Sequence, residues 1–102
     1  MKDECSFLFP AILKRDELVI AISTGGASPS MAAKIRRDIE TVIPEYYGEL
    51  IELLGEHREF IKTEVHLPEQ RKQVYNELIR LAEINEGNLT VEMIQKEIDK
   101  VR

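Results

Sequence analysis

Apolar positions change their period once along this chain. Before residue 23 they come in short runs, and after residue 29 they recur every three or four residues. Ser6-Phe7-Leu8-Phe9 leads through Pro10 into Ala11-Ile12-Leu13. The charged break Lys14-Arg15-Asp16-Glu17 follows, and then Leu18-Val19-Ile20-Ala21-Ile22. Such runs predict a short β-hairpin, with strands at about 5–13 and 18–23 joined across 14–17. Pro10 cannot donate to a ladder, so the first strand is an edge strand or is interrupted there. The second run has no polar alternation, which predicts a strand covered on both faces.

Four helices are expected after the hairpin. Ser28 suits an N-cap and Pro29 the first helical position. Met31, Ile35, Ile39 and Val42 then recur at helical spacing on a helix ending near Pro44. A second helix runs from about Pro44 to just before Pro68, with Tyr47, Leu50, Ile51, Leu54, Ile61 and Val65 as its stripe. A third starts at Pro68, with Val74, Leu78 and Leu81 on one face and Tyr75, Ile79 and Ala82 widening it. Glu86-Gly87-Asn88 is a turn. Thr90 caps a last helix with Val91, Ile94, Ile98 and Val101 in register.

The fold class is therefore α+β, in two segments: 1–43 (hairpin, Gly-rich loop and first helix) and 44–102 (helical). A two-stranded hairpin is marginal in water. Leu18 to Ile22 is too apolar for a strand with one solvated face. Something else must cover or extend the sheet, either a second copy of the chain or an upstream domain.

Composition narrows the partners. With 14 basic and 19 acidic residues the chain carries a net charge of −5, which argues against nucleic acid and against a polybasic membrane surface. The single cysteine, Cys5, allows no intramolecular disulfide and no multi-cysteine zinc site, as expected of a cytoplasmic protein. No apolar run approaches the roughly 20 residues that span a bilayer.

The unusual segment is Ser23-Thr24-Gly25-Gly26-Ala27-Ser28-Pro29-Ser30. Two glycines permit positive φ, and three hydroxyls gather with the N–H groups of a first helical turn, the geometry of an anion-binding loop. It is neither a P-loop nor a dinucleotide fingerprint. A capped strand-to-helix turn that needs no ligand reads the same residues equally well.

Cys5-Ser6-Phe7-Leu8-Phe9-Pro10-Ala11-Ile12, an apolar strand, Ser23-Thr24-Gly25-Gly26-Ala27-Ser28-Pro29, the Ile35-Arg36 pair and Gly48 after Pro44 occur in order. Together they resemble the siroheme synthase family of precorrin-2 dehydrogenases and sirohydrochlorin ferrochelatases. The resemblance is firm over 5–61 and covers 62–102 in helical character only. It implies a two-part enzyme. An N-terminal Rossmann domain binds NAD, precorrin-2 is oxidised to sirohydrochlorin, and the same protein can insert ferrous iron to give siroheme. The segment matched here implies the homodimer interface and part of the tetrapyrrole pocket. On that reading Ser6, Ser23, Thr24, Gly25, Gly26, Ser28 and Arg36 are the substrate-binding candidates, facing a substrate rich in carboxylates.

The resemblance also implies what these residues lack. The register of the family's acid–base aspartate falls just before Met1, and Asp3 comes too late to replace it. The NAD fingerprint is missing too. No catalytic, cofactor-binding or metal-binding residue is therefore assigned, and the chain by itself is expected to be inactive. A stand-alone, non-catalytic dimerisation or interaction module is the alternative, and a small anion-binding protein is a third reading.

Other residues read more plainly. His57 and His66 are nine positions apart and do not share a helical face, so a joint metal site is not expected. Cys5 reads as a small buried residue. Arg36 could reach an acidic group of the substrate or pair with Glu40 four residues on. Tyr46 and Tyr47 read as core or interface. Glu45, Glu49, Glu52, Glu56 and Glu59 read as a solvated face.

The apolar hairpin yields a first prediction. Sedimentation equilibrium at micromolar concentration is expected to give a dimer that Phe7→Asp and Ile20→Asp disrupt. A monomer of 11.8 kDa would refute it.

Overall fold

Pro10 sets where the sheet begins. The computed structural model describes residues 9–102, and its first strand, β1 (Ala11–Arg15), starts directly after this proline. It pairs antiparallel with β2 (Leu18–Ile22), Ala11 facing Ile22 and Arg15 facing Leu18. The expected start at residue 5 is thus corrected for Phe9 and Pro10, while residues 5–8 lie outside the described residues. Lys14 and Arg15 belong to the strand and not to the turn. The reversal needs only Asp16 and Glu17, with Asp16 at φ 53°, a left-handed conformation that aspartate tolerates better than most residues.

The second strand does not have both faces covered within the described chain. Leu13 is buried and its partner Ile20 half-buried, but Ile12 and Val19 on the other face are 43% and 54% exposed. The reason is simple: the helix that packs on this sheet, α1 (Pro29–Val42), lies against one face.

The inward face of α1 is also rotated from the expected stripe. Ala32 is buried and Ile35, Arg36 and Ile39 are half-buried, whereas Met31 and Val42 are 49% and 70% exposed. Arg36 substitutes for an apolar residue by donating from Nε to the Ile12 carbonyl at 2.6 Å. Arg15 reaches the other end of α1, with Nη2 3.5 Å from the carbonyls of Glu40 and Ile43. A cation at the negative end of a helix dipole is favourable.

Five helices follow the hairpin, one more than expected. The predicted second helix is two: α2 (Tyr46–Glu56) and α3 (Arg58–Glu64). The break is at His57, whose backbone sits at φ −95°, ψ 1°. Its ring Nδ1 lies 2.9 Å from the Leu53 carbonyl, which also accepts the His57 N–H at 3.2 Å. One carbonyl thus serves two groups of the same residue, and the turn opens there.

α4 (Pro68–Ile84) and α5 (Val91–Val101) complete the chain. It divides into two compact units between Gly48 and Glu49. In the second unit Ile61, Val65, Val74, Leu78, Ile94 and Ile98 form the core. The α4 stripe is Val74, Leu78 and Ala82, whereas Leu81, expected on it, is half-buried and Ile79 is exposed. Between α4 and α5, Glu86 and Gly87 take positive φ, and the Gly87 N–H closes the helix end on the Ala82 carbonyl at 2.7 Å. Thr90 caps α5 as expected, accepting the Met93 N–H at 3.2 Å. Among the described residues no helix is long and apolar enough to cross a membrane.

Gly48 is required by close approach. A Cβ there would lie 2.8 Å from the Arg15 carbonyl oxygen and 2.9 Å from its carbon, and would also strike the Asp16 carboxylate. The carboxylate can swing away but the backbone cannot. Gly48→Ala is expected to destabilise by about 1–3 kcal/mol, the usual range for overpacking. Gly55→Ala, with nothing within 4 Å, is expected to be neutral or mildly stabilising. Equal denaturation midpoints for the two variants would refute the close-approach account.

Candidate functional site

The loop between β2 and α1 closes on itself through its own hydroxyls. Gly25 and Gly26 both take positive φ, 66° and 81°, so the two-glycine reversal is a backbone requirement. Ser23 Oγ accepts the Gly25 N–H at 3.1 Å, and Thr24 Oγ1 accepts the Ser28 N–H at 3.0 Å. The Ala27 N–H donates to the Thr24 carbonyl at 3.2 Å. Ser28, extended at φ −152°, then caps α1 by accepting the Met31 N–H at 3.1 Å. Pro29 contributes no N–H to the first turn.

This arrangement has a chemical consequence. Each of the three hydroxyls uses a lone pair on its own backbone and keeps its O–H proton as a donor. The loop therefore offers hydroxyl donors at the positive end of a helix dipole, a surface suited to carboxylate or phosphate oxygens. The cleft beside it has a volume of about 20 Å³ and is lined in part by Pro10, Ile22, Thr24, Gly26 and Pro29. That is space for about one water molecule, so the described residues beside the loop do not enclose a large ligand.

The structure brings Ser23, Thr24, Gly25, Gly26 and Ser28 together. Ser6 lies outside the described residues, as do Cys5 and Asp3. Arg36 does not join the loop. It sits two turns along α1, roughly 12 Å from Ser28 at 1.5 Å rise per residue. Its guanidinium is engaged by the Ile12 carbonyl and by Glu40 Oε2 at 3.3 Å. Both partners belong to the fold, and the pairing with Glu40 is the one that helical spacing offered.

Two residues that position the loop's surroundings escaped sequence reasoning. Arg15 was read as part of a turn, yet it ties the strand end to the last carbonyls of α1. Gly48 was noted for its resemblance and not for its contact. A cation directly before a two-residue turn, and a glycine in a helix's first turn, were the available signals. Among the described residues no three His, Cys, Asp or Glu side chains converge as a metal site. The groups whose titration the fold shifts lie elsewhere: hydrogen bonding to Arg80 holds the exposed Glu77 carboxyl below its ordinary value and raises Arg80 in turn.

An antiparallel hairpin, a braced Gly-Gly loop and a Ser-Pro-capped helix define a recognised protein class. Residues 15–41 match the family model described as sirohaem biosynthesis protein central. The siroheme synthase of Methylococcus capsulatus is 41% identical over 73 residues, covering 72% of this chain and 15% of that protein. The siroheme synthase of Nitrosospira multiformis is 38% identical over 76 residues, covering 74% and 16%. Among solved structures, SirC, precorrin-2 dehydrogenase, matches with a TM-score of 0.66 at 25% identity, over 91% of this chain and 45% of that one. Over these residues the chain is similar to the siroheme synthase family. It spans about 15% of the length of the curated relatives it matches.

The loop geometry makes a direct prediction. Valine at Gly25 or Gly26 meets a left-handed backbone and is expected to cost more than the roughly 1–2 kcal/mol of an ordinary residue there. Wild-type melting temperatures for both Gly25→Val and Gly26→Val would sink the tight-loop account.

Proposed function

We infer that this chain supplies the dimerisation and tetrapyrrole-contacting segment of a siroheme biosynthesis enzyme. That enzyme oxidises precorrin-2 to sirohydrochlorin with NAD and inserts ferrous iron into the product. The observation that carries this reading is the self-braced loop, with its three hydroxyls, within a stretch 41% identical to a siroheme synthase. Precorrin-2 and sirohydrochlorin present carboxylate arms around a macrocycle. A donor edge beside a small cleft suits one such arm, while the macrocycle rests outside it. The uncovered sheet face with Ile12 and Val19 supports pairing with a second copy of the chain.

The described residues do not fit NAD. Dinucleotide sites of this type need a parallel βαβ unit with a Gly-x-Gly-x-x-Gly turn. Here the strands are antiparallel, and the Gly-Gly loop spends the N–H groups of Gly25, Ala27 and Ser28 on its own hydroxyls and carbonyl. No redox step is therefore assigned to this chain's residues. Their part is to bind and orient the substrate's acidic arms. A non-catalytic dimerisation module is the competing reading.

Two measurements test the proposal. Purified chain incubated with precorrin-2 and NAD is expected to show no sirohydrochlorin absorbance, and turnover at an ordinary enzyme rate would refute the division of labour. Sirohydrochlorin is expected to bind the chain, and Ser23→Ala with Thr24→Ala to weaken that binding. Absence of binding would favour the interaction module.

A further inference from the structure

The second unit holds a feature that the tetrapyrrole reading does not use. Arg58 and Lys62 stand one turn apart on α3, and Arg71 and Tyr75 one turn apart on α4. These four line one groove of about 310 Å³, and none of the described residues in its wall is acidic. The setting makes this unexpected, because acidic residues outnumber basic ones in residues 49–102.

Five cations of the described residues are neutralised, while Lys14, Arg15, Arg37, Lys72 and Lys96 enter no carboxylate pair. Lys34, Arg36, Arg80, Lys100 and Arg102 each pair with a carboxylate. Arg58, Lys62 and Arg71 enter none of those pairs. Like charges at i and i+4 on one helix repel, and so does a third charge across the groove. Arg71 is also held in place: its Nε donates to the Val65 carbonyl at 2.7 Å and an Nη to the His66 carbonyl at 3.0 Å. A guanidinium anchored by two carbonyls keeps its charge and loses little further freedom when an anion arrives. Tyr75 packs partly against the core and adds a phenol to the wall.

We propose that the Arg58–Lys62–Arg71–Tyr75 groove is a binding site for a small polyanion bearing at least two oxyanion groups, carboxylate or phosphate. The groove holds a molecule of that size, and three cations can share two such groups by charge-assisted hydrogen bonds. This site is independent of the loop at Ser23–Ser28 and of the tetrapyrrole reading.

Calorimetric titration of the full chain at low ionic strength tests it, with inorganic pyrophosphate and citrate as probes. One site is expected for at least one of them. Tighter pyrophosphate points to phosphate as the natural chemistry, tighter citrate to carboxylate. The double variant Arg58→Ala, Lys62→Ala is expected to bind about ten-fold more weakly with an unchanged melting temperature, since both side chains are exposed. The charge-matched control Arg37→Ala, Lys96→Ala is expected to bind like wild type. Binding of neither probe, equal binding by the groove variant, or equal weakening in the control would overturn the site.

Discussion

The reversal at Gly25 and Gly26 is the constraint on which the first unit depends. A strand with its inward side chains on one face must hand over to a helix that returns across that face. Two consecutive positive-φ residues make the turn tight enough. The N–H groups of Gly25, Ser28 and Met31 then need acceptors, and Ser23, Thr24 and Ser28 provide them within the loop. Because the loop closes on itself, hydrogen bonds between near neighbours set the direction of α1. Ala32 and Ile35 then face the sheet, Arg36 reaches the Ile12 carbonyl, and Arg15 reaches the far end of the helix. The hydroxyls of Ser23, Thr24 and Ser28 each accept through oxygen and so keep an O–H to donate, which lets one set of interactions both close the loop and leave it donors.

The second unit is held differently. Its core is an aliphatic cluster from three helices with their inter-helix turns closed by backbone and side-chain bonds. Polar residues enter where a partner exists: Glu97, only 7% exposed, is held by Lys100 at 2.9 Å. An exposed cation needs no such partner, because water solvates it. Three cations that line one groove still repel one another, and it is that shared groove which sets Arg58, Lys62 and Arg71 apart from single exposed cations such as Lys96.

Much of this was legible in the residues. The N-caps at Ser28 and Thr90, Val74 and Leu78 of the α4 stripe, and the turn at Glu86–Asn88 follow from local chemistry, and the structure has them where that chemistry puts them. The Gly-Gly loop was equally legible as a positive-φ turn, because few other residue pairs adopt that backbone. The split at His57 was not, since it arises from a side chain competing for a carbonyl within an otherwise good helical pattern. The roles of Arg15 and Gly48 were hidden because each depends on a contact more than twenty residues away. The α1 stripe was misjudged for a related reason: Met31 and Val42 have the right spacing, but the helix is rotated so that Arg36 can satisfy a strand carbonyl.

By itself, then, the sequence determined the α+β class, the order of elements, their caps and the reversal between β2 and α1, since these rest on backbone preferences and on hydrogen bonds between near neighbours. Only the tertiary structure decided which face of each element is buried, that Arg36 serves the sheet instead of the loop, that Gly48 must lack a side chain, and that three cations from two helices line one groove. Those outcomes depend on distances between residues far apart in the chain, and periodicity along one element carries no information about what stands across from it.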